Sequence, residues 1–318
     1  MATIGNDIYA AKDLLTQGQV VAIPTETVYG LAGNALNEKA VTTIFEVKNR
    51  PSFDPLIVHS NSLEKIQQFV SDFPEEARKL ARQFWPGPLT LLLPRKEQIP
   101  DLVTSGLDTV AVRIPSHPLT LQLLEILDFP LAAPSANPFG YISPTTAQHV
   151  EAQLGKQIPY ILNGGECKVG IESTIVGFEG EVMIYRLGGI SIEAIEQVLD
   201  RKVEVMAHST SNPAAPGMLK SHYAPRKPVF LQGLDDLMHQ YRPEDIGILS
   251  FRRVYPRIPA RNHVVLSEEG SMAEAARCLF AGLRKLDILP VKVIFAELLP
   301  EHDLGRAIND RIRRAAAR

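Results

Sequence analysis

The sequence contains few cysteines and no long apolar run. Cys167 and Cys278 are the two cysteines among 318 residues, and they have no metal-ligand spacing. This argues against a structural disulfide or a zinc site and favours a reducing, cytoplasmic location. No stretch approaches the ~18 uninterrupted apolar residues of a membrane helix. The N-terminus also lacks the pattern of a signal peptide, so no membrane association is expected.

The two commonest nucleotide-binding fingerprints, GxGxxG and GxxxxGK[ST], are absent as well. The net charge is −3, which argues against an overall electrostatic attraction to nucleic acid and leaves room only for a local basic surface. What is present is an ordinary composition with 45% hydrophobic and 22% charged residues. At this length it is typical of two domains or of one large domain.

Short apolar runs alternate with helical patterns over the first two hundred residues. Because strands this apolar are usually covered on both faces, we expect a twisted, open mixed sheet flanked by helices. Asn37 is a candidate N-cap. The predicted strands are 19–24, 55–59, 89–93, 110–114 and 130–133, with a hairpin at 173–178 and 181–185; the predicted helices are 8–15, 37–47, 63–70, 75–84, 119–127 and 147–154.

A Pro-rich stretch without apolar periodicity interrupts this alternation and is typical of a linker. Beyond it the alternation resumes, with strands at 229–231, 245–250, 264–266 and 292–296 and helices at 272–286 and from Leu304. We therefore expect a catalytic α/β domain over 1–205, a linker or lid over 206–228, and a small three-layer, Rossmann-like α/β domain over 229–318.

Several polar segments follow predicted strands, where open α/β sheets bind ligands. The segment 24–31 (PTETVYGL) is such a loop, or else a Thr-rich turn closed by Gly30. Lys48 and Arg50 either complement a helix C-terminus or clamp a triphosphate. His59 ends a strand and is more often structural than catalytic in such a place.

Arg113 lies in the middle of an apolar strand, so it needs a carboxylate partner, either internal or from a substrate. The small residues of 132–138 (AAPSANP) would let backbone amides approach an anion. Ser173 and Thr174 carry hydroxyls that bind a substrate or bond across strands. Arg186, beside glycines, is a candidate anion ligand or a surface Arg on a turn.

Together these strings resemble the YrdC-domain threonylcarbamoyl-AMP synthases in their long, two-domain form. The matching strings are PTETVYGL, KNRPSFDPLIVH, FWPGPLT, VAVRIPSHP, APSAN, ESTIV and YRLG within 24–188, and PGMLKSHYAP at 216–225. The resemblance implies that L-threonine, bicarbonate (or CO2) and ATP give threonylcarbamoyl-AMP and pyrophosphate. The threonylcarbamoyl group then goes to position 37 of tRNA. Such chemistry needs positioning and charge neutralisation and no protein nucleophile.

The resemblance also implies roles for individual residues. Lys48, Arg50 and Arg113 are the expected catalytic residues. The expected ATP-binding residues are Lys48, Arg50, Asp54, Thr109, Ser135, Asn137, Ser143, Arg186 and Tyr223, the last as part of a lid. The expected threonine-binding residues are Thr27, His59, Arg113, Ala133 and Ser173. Mg²⁺ is expected with ATP, held mainly by its phosphates and without direct side-chain ligands.

Two departures from the family pattern concern the segment 48–55. The family often has Gly where this chain has Asn49, and Asn where it has Asp54. Asp54 adds negative charge near the expected triphosphate, so it either pairs with Lys48 or helps to hold Mg²⁺.

Three other interpretations remain open. The first is an RNA-binding module, because five arginines crowd the C-terminal helix, although a solvated helix face explains them equally well. The others are a carbamoyl-phosphate-using YrdC enzyme and a non-catalytic regulator. A deep pocket lined by Arg113 and Arg186 would favour the synthase over these alternatives. The other expected partners of the synthase are tRNA or tRNA-threonylcarbamoyl-transferase proteins. The five arginines are Arg306, Arg311, Arg313, Arg314 and Arg318.

Overall fold

The computed structural model describes residues 1–206, 213–218 and 222–317. Within these ranges, eleven strands form one mixed sheet and four further strands form a second sheet. The expected mixed sheet flanked by helices is therefore present. Parts of the predicted linker, 207–212 and 219–221, lie outside the described residues, as does Arg318.

The first sheet has the strand order β1-β8-β2-β3-β7-β4-β6-β5-β9-β10-β11. Its strands are β1 (Thr3–Gly5), β2 (Val21–Ile23), β3 (Gly30–Asn34), β4 (Ile57–His59), β5 (Leu89–Pro94), β6 (Thr109–Arg113), β7 (Leu131–Ala132), β8 (Tyr160–Leu162), β9 (Thr174–Gly177), β10 (Met183–Arg186) and β11 (Glu204–Val205). Its helices are α1 (Ile8–Thr16), α2 (Glu38–Lys48), α3 (Leu63–Ile66), α4 (Glu75–Phe84), α5 (Asp101–Thr104), α6 (Pro118–Ile126), α7 (Ala147–Leu154) and α8 (Ile192–Leu199).

Local sequence explains several of these helix boundaries. The Asn37 side chain accepts the amides of Lys39 and Ala40, which is the N-cap that the sequence predicted for α2. The helix ends at Asn49, whose φ of 52° is left-handed. Asn tolerates this conformation better than other non-glycine residues, so it can replace the Gly of the family pattern. Lys48 is thereby fixed at the last helical position.

Strand β3 differs from the prediction, in which 24–31 was either a ligand-binding loop or a Thr-rich turn closed by Gly30. Gly30 instead begins a strand that pairs antiparallel with β2. The sequence Gly-Leu-Ala-Gly-Asn carries no apolar alternation because the small residues make room for α2. A Cβ on Gly33 would lie 3.2 Å from Ile44 Cδ1 and 3.4 Å from the Ala40 carbonyl oxygen. Packing against α2 therefore determines this strand, and local propensity does not reveal it.

The second sheet is parallel, with strand order β12-β15-β13-β14. Its elements are β12 (Val229–Phe230), α9 (Leu234–Gln240), β13 (Ile246–Ser250), β14 (His263–Val265), α10 (Met272–Ile288), β15 (Val293–Ala296) and α11 (Gly305–Ala316), with short 3-10 helices at Pro243–Asp245 and Ala260–Asn262. This is the strand–helix alternation expected beyond the linker. The boundaries 1–205, 206–228 and 229–318 stay a prediction about domains.

Helix α10 packs directly against the first sheet's half of the molecule. Arg284 donates from Nε to the Ser143 carbonyl at 3.2 Å, and its Nη2 also donates to the Ile142 carbonyl. The Tyr141 hydroxyl donates to Asp287 Oδ2 at 2.6 Å. The buried core on this side combines Val28, Ile142 and Ile171 with side chains of α10 and α11. The two halves therefore share one apolar interface.

Gly170 is the closest backbone approach across this interface, and its substitution gives a stability prediction. Gly170 has φ +81°, and a Cβ there would lie 2.3 Å from Arg277 Cα. Gly165 has the same φ of +81° with nothing within 4 Å. We expect Gly170→Ala to destabilise the protein by about 1–3 kcal/mol more than Gly165→Ala, because both share the left-handed strain and only the first is overpacked. Urea unfolding of the two variants measures the difference, and equal losses would contradict the close approach.

Candidate active site

A cavity with about 580 Å³ of empty space, which includes space open to solvent, lies at the carboxyl ends of strands β4 and β6 in the middle of the first sheet. Strands β4 and β6 are parallel neighbours, and His59 pairs with Arg113 in register at their carboxyl ends. Ala133, directly after β7, donates its amide to the Ile57 carbonyl at 3.0 Å. The sheet thus brings His59, Arg113 and Ala133 to one wall.

Arg113 is buried and anchored by three partners. Its Nη2 lies 2.6 Å from Glu26 Oε1, its Nη1 donates to Thr27 Oγ1 at 3.0 Å, and its Nε donates to the Gly87 carbonyl at 3.2 Å. The carboxylate partner that the sequence required is therefore the internal Glu26. Because Arg113 and Thr27 also line the cavity, the fixed guanidinium can still receive an anionic ligand. We call Thr27, His59, Arg113 and Ala133 the Arg113 group.

His59 is a neutral member of the Arg113 group. Burial, reinforced by the positive charge of Arg113, lowers the pKa of His59 to about 3 from an ordinary 6.5. Its Nδ1 lies 3.2 Å from the Ile57 carbonyl oxygen. The ring is therefore uncharged at neutral pH and can exchange hydrogen bonds with a ligand without adding charge.

The lowered pKa of His59 predicts a loss of stability in acid. The unfolded chain binds a proton on this residue below pH 6.5, whereas the folded chain does so only near pH 3, so stability falls as the pH drops through this window. One such group contributes a slope of about 1.4 kcal/mol per pH unit. We expect His59→Gln to reduce the slope of unfolding free energy between pH 4.5 and 5.5 by this amount, measured by urea unfolding. His239→Gln, at an exposed site on α9, is the control, and an unchanged slope in His59→Gln would contradict the prediction.

Arg186, at the end of β10, organises a second part of the wall. Its Nη2 donates to Ser173 Oγ at 3.0 Å, its Nε to the Ser173 carbonyl at 3.1 Å, and its Nη1 to the Pro216 carbonyl at 3.3 Å. The Glu172 carboxylate accepts the Ser143 hydroxyl at 2.6 Å. Arg50, Glu172, Ser173 and Arg186 line the cavity together, and we call them the Arg186 group.

Asp54 pairs with Arg50, which corrects the expected pairing with Lys48. Arg50 Nη2 lies 2.9 Å from Asp54 Oδ2, and its Nε donates to the Asp54 carbonyl at 3.0 Å. Both side chains are buried. Asp54 therefore holds Arg50 in place, and its carboxylate is already engaged by a cation.

Lys48 supports the cavity from behind. Its Nζ donates to the carbonyls of Ser135 at 2.5 Å and Asn137 at 2.6 Å, and so fixes the segment 135–137 that follows β7. Burial, and then repulsion by Arg50, hold the pKa of Lys48 well below its ordinary value. Ser135 lines the cavity, whereas Lys48 and Asn137 do not.

The segment between the two sheets contributes Pro216, Gly217, His222 and Tyr223 to the cavity lining. Its role as a lid stays a prediction. Tyr223 is buried with φ +63°, and its ring centroid is 5.3 Å from that of Phe280 on α10. Tyr223 therefore connects the cavity wall to α10, while no described residue beyond Tyr223 lines the cavity.

Nine of the predicted site residues line this cavity, and five do not. Those on the lining are Thr27, Arg50, His59, Arg113, Ala133, Ser135, Ser173, Arg186 and Tyr223. Those absent from it are Lys48, Asp54, Thr109, Asn137 and Ser143, all of them buried. Sequence reasoning missed Thr25, Glu172 and His222. Glu172 and His222 lie inside the matching strings ESTIV and SHYAP, so the strings could have indicated them.

The arginines of α11 correct the expected solvated helix face. Arg311 and Arg314 are buried, and only Arg306 and Arg313 of those described reach solvent to a substantial extent. Arg306 and Arg313 pair with Glu193 and Glu301 at 2.5 Å.

Among the described residues, no group of three or more His, Cys, Asp and Glu side chains could hold a metal ion. No helix in these ranges has the length and apolarity needed to cross a bilayer.

A cavity lined by Arg50, Arg113 and Arg186 at the carboxyl ends of central strands of a mixed sheet is typical of an enzyme that binds small anionic ligands. A family model described as "Telomere recombination" (Sua5, YciO and YrdC) matches residues 13–188. A second, described as "Threonylcarbamoyl-AMP synthase, C-terminal domain", matches residues 190–317. The chain belongs to the threonylcarbamoyl-AMP synthase family.

Individual relatives cover nearly the whole chain. The threonylcarbamoyl-AMP synthase of Pyrococcus abyssi is 40% identical over 97% of this chain and 94% of its own length, and that of Bacillus subtilis is 37% identical over 99% and 94%. The crystal structure of P. abyssi Sua5 complexed with L-threonine matches with a TM-score of 0.89 at 39% identity, over 97% of this chain and 94% of that one. These findings confirm the predicted family, the fold class and an ATP-using enzyme that transfers an adenylyl group.

Proposed function

We propose that this chain forms L-threonylcarbamoyl-AMP and pyrophosphate from L-threonine, bicarbonate or CO2, and ATP. The observation that carries the proposal is the pairing of the Arg113 and Arg186 groups on one lidded cavity. The guanidinium of Arg113 receives the threonine carboxylate, with Thr27, His59, Ala133 and Ser173 around the amino acid. Arg50, Arg186 and Ser135 face ATP, while Lys48, Asp54, Thr109, Asn137 and Ser143 support that side from behind.

The reaction joins two anions, so the enzyme must offset the repulsion between them and hold the reacting atoms in position. The threonine amine forms an N–C bond to CO2 and loses a proton to solvent, which gives a carbamate. A carbamate oxygen then attacks the α-phosphorus, an O–P bond forms, and the bond to pyrophosphate breaks. Fixed guanidinium groups offset the repulsion between carbamate and phosphate, and the site needs no covalent nucleophile.

Mg²⁺ accompanies ATP in this proposal and lowers the charge of its phosphates. Asp54 is engaged by Arg50, so the ATP phosphates supply most of the metal ligands. Tyr223 and His222 close the lid, which keeps water from the mixed anhydride. A solved variant of P. abyssi Sua5 with an adjacent His–Tyr pair replaced by Ala matches this fold with a TM-score of 0.90. His222–Tyr223 is such a pair in this chain.

We further propose that the product serves the threonylcarbamoyladenosine modification of tRNA position 37 in the cytoplasm, through separate transferase proteins. Direct double-stranded RNA binding is part of this proposal and rests on the resemblance. The C-terminal family match favours the synthase over a carbamoyl-phosphate enzyme.

Pyrophosphate release tests the proposal. The purified chain with Mg-ATP is assayed with no amino acid, with L-threonine and with L-serine, each with and without bicarbonate. We expect release only when threonine and bicarbonate are both present. Pyrophosphate release that does not require threonine or does not require bicarbonate would contradict the synthase function. A gel shift of RNA without pyrophosphate release would indicate an RNA-binding module instead.

A further inference from the structure

Helix α11 places an arginine of the C-terminal half directly behind the cavity wall. Arg311 is the largest of the fully buried side chains among the described residues. Its Nε and Nη2 lie 3.2 and 3.1 Å from Glu172 Oε2, and its Nη1 donates to the Leu187 carbonyl at 2.5 Å. Glu172 lines the cavity, so a residue 139 positions further along the chain sets the charge of the wall.

A carboxylate at this place opposes ATP binding unless it is neutralised. Glu172 belongs to the Arg186 group, and an unpaired charge there would repel the phosphates and attract Arg186 away from them. Burial raises the pKa of Glu172, but Arg311 first and Arg186 second outweigh it, and the Ser143 hydroxyl adds to them. The pKa therefore lies below its ordinary value and the group stays ionised.

Besides Arg50 and Arg186 on the cavity wall, the charged or titratable groups described near Glu172 include Tyr223 and residues of α11. Asp310 Oδ2 lies 3.0 Å from Arg311 Nη1 and 3.4 Å from Arg314 Nη1, so this acid compensates part of the arginine charge. The Tyr223 ring centroid is 5.5 Å from Arg311 Cζ and 4.8 Å from Arg314 Cζ. Arg314 is the nearer cation to the lid, so Arg311 is the one committed to Glu172.

We propose that Arg311 is a positioning residue for ATP: it neutralises Glu172 and thereby leaves Arg186 available to the phosphates. The proposal rests on the synthase function above and assigns a role in nucleotide binding to the C-terminal half. Arg311 itself is absent from the cavity lining, so it acts through Glu172.

The test compares Arg311→Met, Glu172→Gln and the double variant with the wild type at pH 6 and pH 8. The measurements are the Kd of Mg-ATP by calorimetry and the KM values of ATP and threonine. At pH 8, Arg311→Met should weaken ATP binding at least tenfold and change the threonine KM less than threefold. At pH 6 the loss should shrink, because Arg311 no longer opposes the burial that raises the pKa of Glu172, and more of this carboxyl is then protonated. The double variant should bind ATP within threefold of wild type at both pH values.

An equal loss at both pH values, or a double variant as poor as Arg311→Met, would overturn the proposal and leave Arg311 a purely structural residue. If Arg311→Met does not fold, the Kd of Mg-ATP for the double variant is the remaining test, because Glu172→Gln removes the carboxylate that Arg311→Met leaves without this partner. Weak ATP binding by a folded double variant, or its failure to fold, then counts against the proposal. Pyrophosphate release by the wild type, measured in parallel, decides the synthase function independently.

Discussion

Replacing Arg113 by Met is expected to lower threonine-dependent pyrophosphate release by about 10²- to 10³-fold, since losing one partner of a buried, hydrogen-bonded charge pair costs about 2–5 kcal/mol. Arg113 lines the cavity and is fixed by Glu26, Thr27 and the Gly87 carbonyl, so its geometry is set before a ligand arrives. No other residue of the Arg113 group carries a positive charge, because His59 is neutral. The loss should appear chiefly in kcat/KM for threonine, with the Kd of Mg-ATP little changed.

The control separates this loss from misfolding. Arg113→Met alone leaves the buried Glu26 carboxylate without its partner, which destabilises a fold by about 3–5 kcal/mol. Arg113→Met with Glu26→Gln removes both charges and should restore the thermal midpoint without restoring activity. Arg82→Met, at an exposed arginine on α4, should behave as wild type. Recovery of threonine-dependent activity in the double variant would show that Arg113 has no direct role with the substrate.

The Arg113 group was expected from the family resemblance, and the structure places its four residues on one cavity wall. The sequence placed Arg113 in the middle of a strand, whereas in the structure it ends β6 and pairs in register with His59 at the end of the parallel neighbour β4. The need for a carboxylate beside Arg113 followed from the cost of burying a guanidinium. The sequence did not identify Glu26 as this carboxylate. Glu26 lies 87 positions away from Arg113, and only the folded sheet brings the two residues together.

The Arg186 group was less predictable, because its electrostatics depend on the other half of the chain. The arginine-rich end of the sequence has the composition of a solvated helix, yet Arg311 and Arg314 face inward toward Glu172, Asp310 and Tyr223. A pattern of charges along a helix does not show which face meets a buried acid. Strand β3 shows the same limit for secondary structure, since its small residues are selected by the packing of α2.

Lys48→Met is expected to raise the KM of ATP by about 100-fold while changing stability much less. Lys48 holds the carbonyls of Ser135 and Asn137, and leaving a buried acceptor unpaired costs about 1–3 kcal/mol each. The same substitution also removes the cost of burying a cation. This cost holds the pKa of Lys48 well below its ordinary value. The lost hydrogen bonds and the avoided burial of a charge therefore have opposite effects on stability. In the ATP complex, by contrast, both the loop position and the positive charge are lost.

Lys65→Met is the matched control for this prediction. Lys65 Nζ likewise lies 3.2 and 3.4 Å from two backbone carbonyl oxygens, those of Leu124 and Leu127, but away from the cavity. It should lose a similar pair of hydrogen bonds with no change in the KM of ATP. If Lys48→Met and Lys65→Met have the same KM, Lys48 serves only the fold. If Lys48→Met alone raises it, Lys48 supports ATP binding through the segment 135–137, through its positive charge or through both, although it is absent from the cavity lining.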